Sequence, residues 1–201
     1  MKPTDILYEE HRIIVKVLQC LDKIVEEAEE QGKLNEPSAL AAINFFRNFA
    51  DRCHHAKEED GLFLAMEQAG IPREGGPIGV MLMEHDFGRK HVKAMTEAVS
   101  KSAEGDREAL SKFTENARDF IALLRDHIDK EDNVLFPLAE HSLGKEAADS
   151  LLLDFKKIES DAGGKRHSEY IQICKQLCDQ YGIDSIEDSR IQTITSEFNV
   201  N

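Results

Sequence analysis

Four stretches of this chain carry apolar residues at alternating steps of three and four, and few folds can use that pattern. In the first, Leu7, His11, Ile14, Leu18, Leu21, Val25 and Ala28 follow one another at steps of 4, 3, 4, 3, 4 and 3. That is the seam of a helix burying one face in a bundle. The third, Met81, His85, Gly88, Val92, Met95 and Val99, alternates in the same way, as does the fourth, from Leu110 through Phe113, Ala117, Phe120, Leu124, His127 and Glu131 to Val134. The second is less regular. Between Ile43, Phe46, Ala50, His54, Glu58, Leu62 and Ala65, successive steps of four make the inward face of an ideal helix drift.

Turn and cap residues divide the seams. Thr4 or Asp5 is suited to cap a first helix that stops near Gly32, and Asn35-Glu36-Pro37 restarts the chain with a cap and an early proline. The spacing predicts a second helix from about Pro37 to Ala69, ended by Gly70, and the loop Ile71-Pro72-Arg73-Glu74-Gly75-Gly76-Pro77 is the clearest in the chain. A third helix reaches about Ser102, and a fourth, after Gly105-Asp106, about Ala139. The expected fold is all-α: an up-down-up-down four-helix bundle over residues 1–140, then a helical extension over 141–182 packed on it. That extension is broken at Asp161-Ala162-Gly163-Gly164 and followed by a polar tail over 183–201.

Six polar residues interrupt the four seams: His11, His54, Glu58, His85, His127 and Glu131. Two of the interruptions repeat. His54-His55-Ala56-Lys57-Glu58-Glu59-Asp60-Gly61-Leu62-Phe63 returns 73 positions later as His127-Ile128-Asp129-Lys130-Glu131-Asp132-Asn133-Val134-Leu135-Phe136. A histidine and a glutamate four apart share a helix face and can hold one metal ion. An unpaired buried carboxylate is costly, so it must be neutralised, paired or bound to metal. A lone core histidine is usually a packing residue, but two His/Glu pairs and two further histidines on four seams point to a shared metal site. In an antiparallel bundle all six meet in one layer at one end. Imidazole with carboxylate suits iron, zinc, manganese or nickel, and two carboxylates can bridge two ions. His55, turned about 100° from His54 in an ideal helix, is expected to flank the site and is a candidate extra ligand.

Charge and composition remove other functions. With 39 acidic against 25 basic residues the net charge is −14, which excludes nucleic acid as the main partner because phosphate binding needs a dense basic face. No apolar run approaches the roughly 20 residues of a membrane span, and Met1-Lys2-Pro3-Thr4-Asp5 lacks the apolar core of a secretory signal. A cytoplasmic protein is expected, with Cys20, Cys53, Cys174 and Cys178 as reduced thiols.

With these residues in place, residues 4–140 resemble the hemerythrin-like family in its HHE cation-binding version. The resemblance rests on Glu10-His11, His54-His55-Ala56-Lys57-Glu58-Glu59 with Leu62-Phe63, Glu84-His85-Asp86 with Arg89, and His127-Ile128-Asp129-Lys130-Glu131 with Leu135-Phe136-Pro137. It implies a non-haem di-iron centre with two carboxylate-bridged iron ions. His11, His54, His85 and His127 would be terminal ligands and Glu58 and Glu131 the bridges, with zinc or another divalent metal as a possible substitute. The chain departs from the oxygen-carrying hemerythrins in two ways. Arg89 stands where they have a second helix-3 histidine, and Glu131 lies four rather than five residues beyond the helix-4 histidine. One histidine ligand is missing unless His55 or Glu84 replaces it. The implied function is binding or sensing of oxygen or related species, with dioxygen or peroxide as the small ligand, or the handling of iron. Alternatives are a di-iron peroxidase or oxidase with an open coordination position, and a regulatory module with residues 144–201 as its output.

Overall fold

The computed structural model of the protein describes residues 1–161 and 166–184. Most of the expected break at 161–164, and the polar tail from 185 onward, lie outside the described residues. Helix α1 spans Pro3–Gln31. It starts a residue or two before the expected caps because Pro3, whose fixed φ suits the first helical position, opens it, with the Lys2 backbone N–H donating to the Asp5 carboxylate. Thr4 turns instead to the C-terminal end of the fourth helix and donates to Glu140 at 2.7 Å. Gly32, at φ +70°, ends the helix, a left-handed conformation that glycine adopts without steric cost.

Helix α2 covers residues 36–68, with Asn35 accepting from the Ser38 N–H. Helix α3 spans Pro77–Ala103, and α4 covers residues 107–142, capped by Asp106 on the N–H groups of Glu108 and Ala109. Helix α4 therefore runs three residues past its expected end. Helices α5 (Lys145–Asp161) and α6 (Arg166–Tyr181) follow. Thr4–Glu140 and Glu29–Arg118 pair α1 antiparallel to α4, Arg47–Thr96 and Glu59–His85 pair α2 with α3, and Glu84–His127 and His91–Asn116 pair α3 with α4. This is the up-down-up-down bundle, with two added helices.

The irregular second seam has a structural answer. Each step of four overshoots an ideal helix by about 40°, so Phe46 to Leu62 would wind off the core. Instead α2 widens into π-type turns over Phe46–His55 and Glu58–Leu62, which take in an extra residue per hydrogen bond and keep the stripe inward. Helix α4 widens once, over Glu131–Leu135. There the Phe136 N–H reaches back to the Glu131 carbonyl, and Pro137 has no N–H to offer. The Asp132 carbonyl accepts from the Tyr8 hydroxyl at 3.0 Å instead. Both acids of the repeated motif thus open a widened turn.

Helix α6 lies on α1, burying Ile171, Cys174, Leu177 and Cys178, with Cys178 Sγ 3.8 Å from Cys20 Sγ. Helix α5 lies on α2 at Gly61, where an added Cβ would stand 3.0 Å from both Leu151 and Phe155. Gly61→Val should overpack this contact and cost about 1–3 kcal/mol, read as a lower urea midpoint with an unchanged slope.

Candidate metal centre

Pro3 and Pro77 each open a helix, and His11 and His85 each stand eight residues further on. They therefore reach the same depth, about 12 Å along their helices. His54 and Glu58 on α2, and His127 and Glu131 on α4, come down to that level from the other direction. All six are fully or almost fully buried.

Each of the four histidines is fixed by a carboxylate from the neighbouring helix. Glu10 on α1 lies 3.0 Å from His54 Nδ1, and Glu59 on α2 lies 2.7 Å from His85 Nδ1. Glu84 on α3 lies 3.0 Å from His127 Nδ1, and Asp132 on α4 lies 2.6 Å from His11 Nδ1. The ring of contacts runs α1 to α2 to α3 to α4 and back to α1. An ionised carboxylate can only accept, so each Nδ1 carries a proton and each Nε2 faces the interior.

Inside the ring, His11 Nε2 and His127 Nε2 each lie 3.2 Å from Glu131 Oε2. His54 Nε2 is 3.4 Å from Glu58 Oε1, and His85 Nε2 is 3.5 Å from Glu58 Oε2. His85 Nε2 and His127 Nε2 are 3.1 Å apart. Two lone pairs cannot face each other so closely without a proton or a cation between them. Both carboxylate oxygens of Glu58 and of Glu131, with His11 Nε2, are buried without a hydrogen-bond partner among the described residues. Such groups are expensive unless a cation takes them, so the residues present fit a metal. Two four-residue groups have their ligand atoms within 4.8 Å of one another: His11, His54, Glu58 and Glu131, and His55, Glu58, His85 and His127. Glu58 belongs to both.

The electrostatics of the cluster show the same crowding. Burial drives His54 down to about 4 against the pull of Glu10, and burial beside Glu131 holds the Glu58 carboxyl well above the usual range. Burial also opposes charge on His127, but Glu131 and Glu84 outweigh it and hold the imidazolium up to about 9.

Three residues differ from the sequence expectation or extend it. His55 does not merely flank the site: the widened turn that ends on it carries it inward, where it is buried and stacks on His85 with ring centroids 3.8 Å apart. Glu84 does not enter the inner cluster, because it is engaged by His127 Nδ1 and the Lys130 ammonium. Arg89 braces the ring, donating to Glu59 at 2.6 Å and to Asp51 at 2.8 Å.

The lysines of the repeated motif, given no role by sequence reasoning, support the same ring. Lys130 pairs with Glu84, and Lys57 with Glu10 at 2.5 Å. Lys57 is wholly buried and also meets Glu159 of α5 at 2.7 Å and Cys53 Sγ at 3.1 Å. A third cluster of possible ligands, Glu10, Cys53 and Glu159, is thus already filled by an ammonium. The signal available in the sequence was the Glu-His pair at 10–11 and again at 84–85, with an acid directly after each of Glu58 and Glu131.

Residues 2–139 match the family described as the hemerythrin HHE cation binding domain. The chain belongs to this family. It is 31% identical over 136 residues to the iron-sulfur cluster repair protein YtfE of Musicola paradisiaca, across 66% of this chain and 60% of that protein. It is 23% identical over 135 residues to an uncharacterized protein of Mycobacterium tuberculosis, across 67% of this chain and 52% of the relative. The match thus spans between half and three-fifths of these relatives' own length. No solved structure matches the chain significantly. No described helix is long and apolar enough to cross a membrane.

The two motif lysines provide a paired test. Lys57→Met leaves Glu10 and Glu159 buried without their cation and should cost about 3–5 kcal/mol. Lys130, whose side chain is 40% exposed, should cost under about 1 kcal/mol when changed to Met. Equilibrium unfolding in denaturant measures both.

Proposed function

We propose that the chain is a carboxylate-bridged di-iron protein that binds dioxygen or peroxide. The observation that carries this reading is the convergence of four buried Nε2 atoms and the buried Glu58 and Glu131 carboxylates on two ligand groups that share Glu58. The donor set also suits zinc or manganese, and iron is favoured because a relative is named for iron-sulfur cluster repair. In this reading His11, His54, His85 and His127 with Glu58 and Glu131 would hold the iron, Glu58 being common to both groups, and His55 would supply the ligand missing from α3. Iron there would supply redox electrons and Lewis acidity. The chain's own residues do the rest. The acid ring holds each Nε2 toward the centre, while Phe136 stacks on His11 and Phe63 on His85 and exclude water from those faces.

Anaerobic reconstitution with ferrous iron should give two ions per chain, one for each ligand group, with a new absorption band on admitting air. Glu58→Ala should empty both positions and His55→Ala only the one it shares with His85 and His127. Elemental analysis showing less than half an ion per chain in the unaltered protein would exclude the reading.

Metal must also displace protons. His127 is held up to about 9 in the metal-free protein, so at pH 7 it binds a proton that a metal has to remove. Below that pKa metal and proton compete, so affinity should rise with pH and level off above about 9. Calorimetry of zinc loading in buffers of different ionisation enthalpy should show net proton release at pH 7 that shrinks toward pH 9, whereas proton-neutral loading at pH 7 would contradict it.

A further inference from the structure

The two ligand groups are not equally accessible. A pocket of about 360 Å³ between α2, α3 and α4 is floored by His55, His85 and His127, the three histidines of one group. None of His11, His54 and Glu131 lines it. His54 lies behind the buried Glu10–Lys57–Glu159 chain, and His11 behind Asp132 and Phe136. The pocket therefore serves one metal position alone.

Its walls and mouth specify a ligand. Phe46, Val92, Phe120 and Leu124 give it apolar sides, and its charged lining residues are Arg47, Arg52, Arg89 and Lys93 against Asp51 and Glu84. A local excess of cations is unexpected in a chain of net charge −14. Arg89 is committed to Asp51 and Glu59, but Arg47 and Lys93, both exposed, have no carboxylate partner among the described residues. On the floor, His55 Nδ1 is buried and makes no hydrogen bond among the described residues, with Asp51 Oδ1 3.6 Å away. The volume falls in the range of small-molecule pockets, far more than a diatomic needs. Gly88 adds to the space, since its missing side chain would face Phe120 at 3.5 Å.

We propose that this pocket binds a small organic anion with an apolar body, of the carboxylate class, placing it beside His55, His85 and His127. The cationic mouth attracts the charge, in the manner of electrostatic steering, and the aromatic and aliphatic walls take the body. The proposal rests on the metal reading of the same cluster, which makes the carboxylate end a neighbour of the accessible metal position.

Benzoate titrated into the iron-loaded protein is the probe, followed by calorimetry and by the change in the iron absorption spectrum. Gly88→Leu, which fills the pocket, and the surface double variant Arg47→Glu/Lys93→Glu should each weaken benzoate binding about tenfold or more with iron content unchanged. The double variant alone should also lose most of the salt dependence. Should Gly88→Leu fail to fold, the surface variant decides. Iron uptake without benzoate binding, binding of azide but not benzoate, or equal benzoate affinity in the variants would overturn this proposal and leave the metal reading standing. Failure of the unaltered protein to take up iron would overturn both.

Discussion

The interaction on which the rest of this structure depends is the carboxylate–imidazole hydrogen bond made four times around the bundle. Each ties a residue on one helix to a histidine on the next. Charge-assisted bonds of this kind are stronger than neutral ones, but geometry is their larger contribution. With Nδ1 committed outward, Nε2 has one direction left, and four Nε2 atoms meet. The same contacts fix the relative height of neighbouring helices. A shift of one helix by one turn would leave a buried acid and a buried imidazole without partners on both sides.

The ring also exposes an internal repeat. Pro3, Glu10 and His11 correspond to Pro77, Glu84 and His85, while His54, Lys57, Glu58 and Phe63 correspond to His127, Lys130, Glu131 and Phe136. The structure keeps these roles: each glutamate before a histidine holds the motif histidine of the following helix, each motif lysine holds that glutamate, and each motif phenylalanine stacks on a histidine of the paired helix. Two helical hairpins thus build one centre, each supplying half of its ring.

Much of this was legible in the sequence because a bundle is governed by local periodicity. The seams placed four helices and put six polar residues in one layer. What stayed hidden depends on departures from the ideal helix or on contacts between distant segments. His55 seemed misdirected because a 3.6-residue turn was assumed, whereas α2 widens over Phe46–His55. Arg89 read as the loss of a ligand, since only tertiary structure brings Asp51 and Glu59 within its reach. Glu159 could not be linked to the centre at all, because its contact with Lys57 spans 102 residues.

The two halves differ where the extra helices arrive, and that difference has a physical logic. Lys130 meets Glu84 at the surface, where water completes its solvation. Lys57, the corresponding residue, is covered by α5, where water cannot satisfy the ammonium donors that Glu10 leaves unused. Glu159 and the Cys53 sulfur replace the lost water, and burial of that ammonium becomes tolerable only because two carboxylates share it. Sealing one side in this way requires a buried charge network, and α5 brings it. The opposite side keeps its cavity over His55 and its exposed cations. A symmetric repeat has become a centre with a charge network on one side and, on the other, a cavity that reaches His55, His85 and His127.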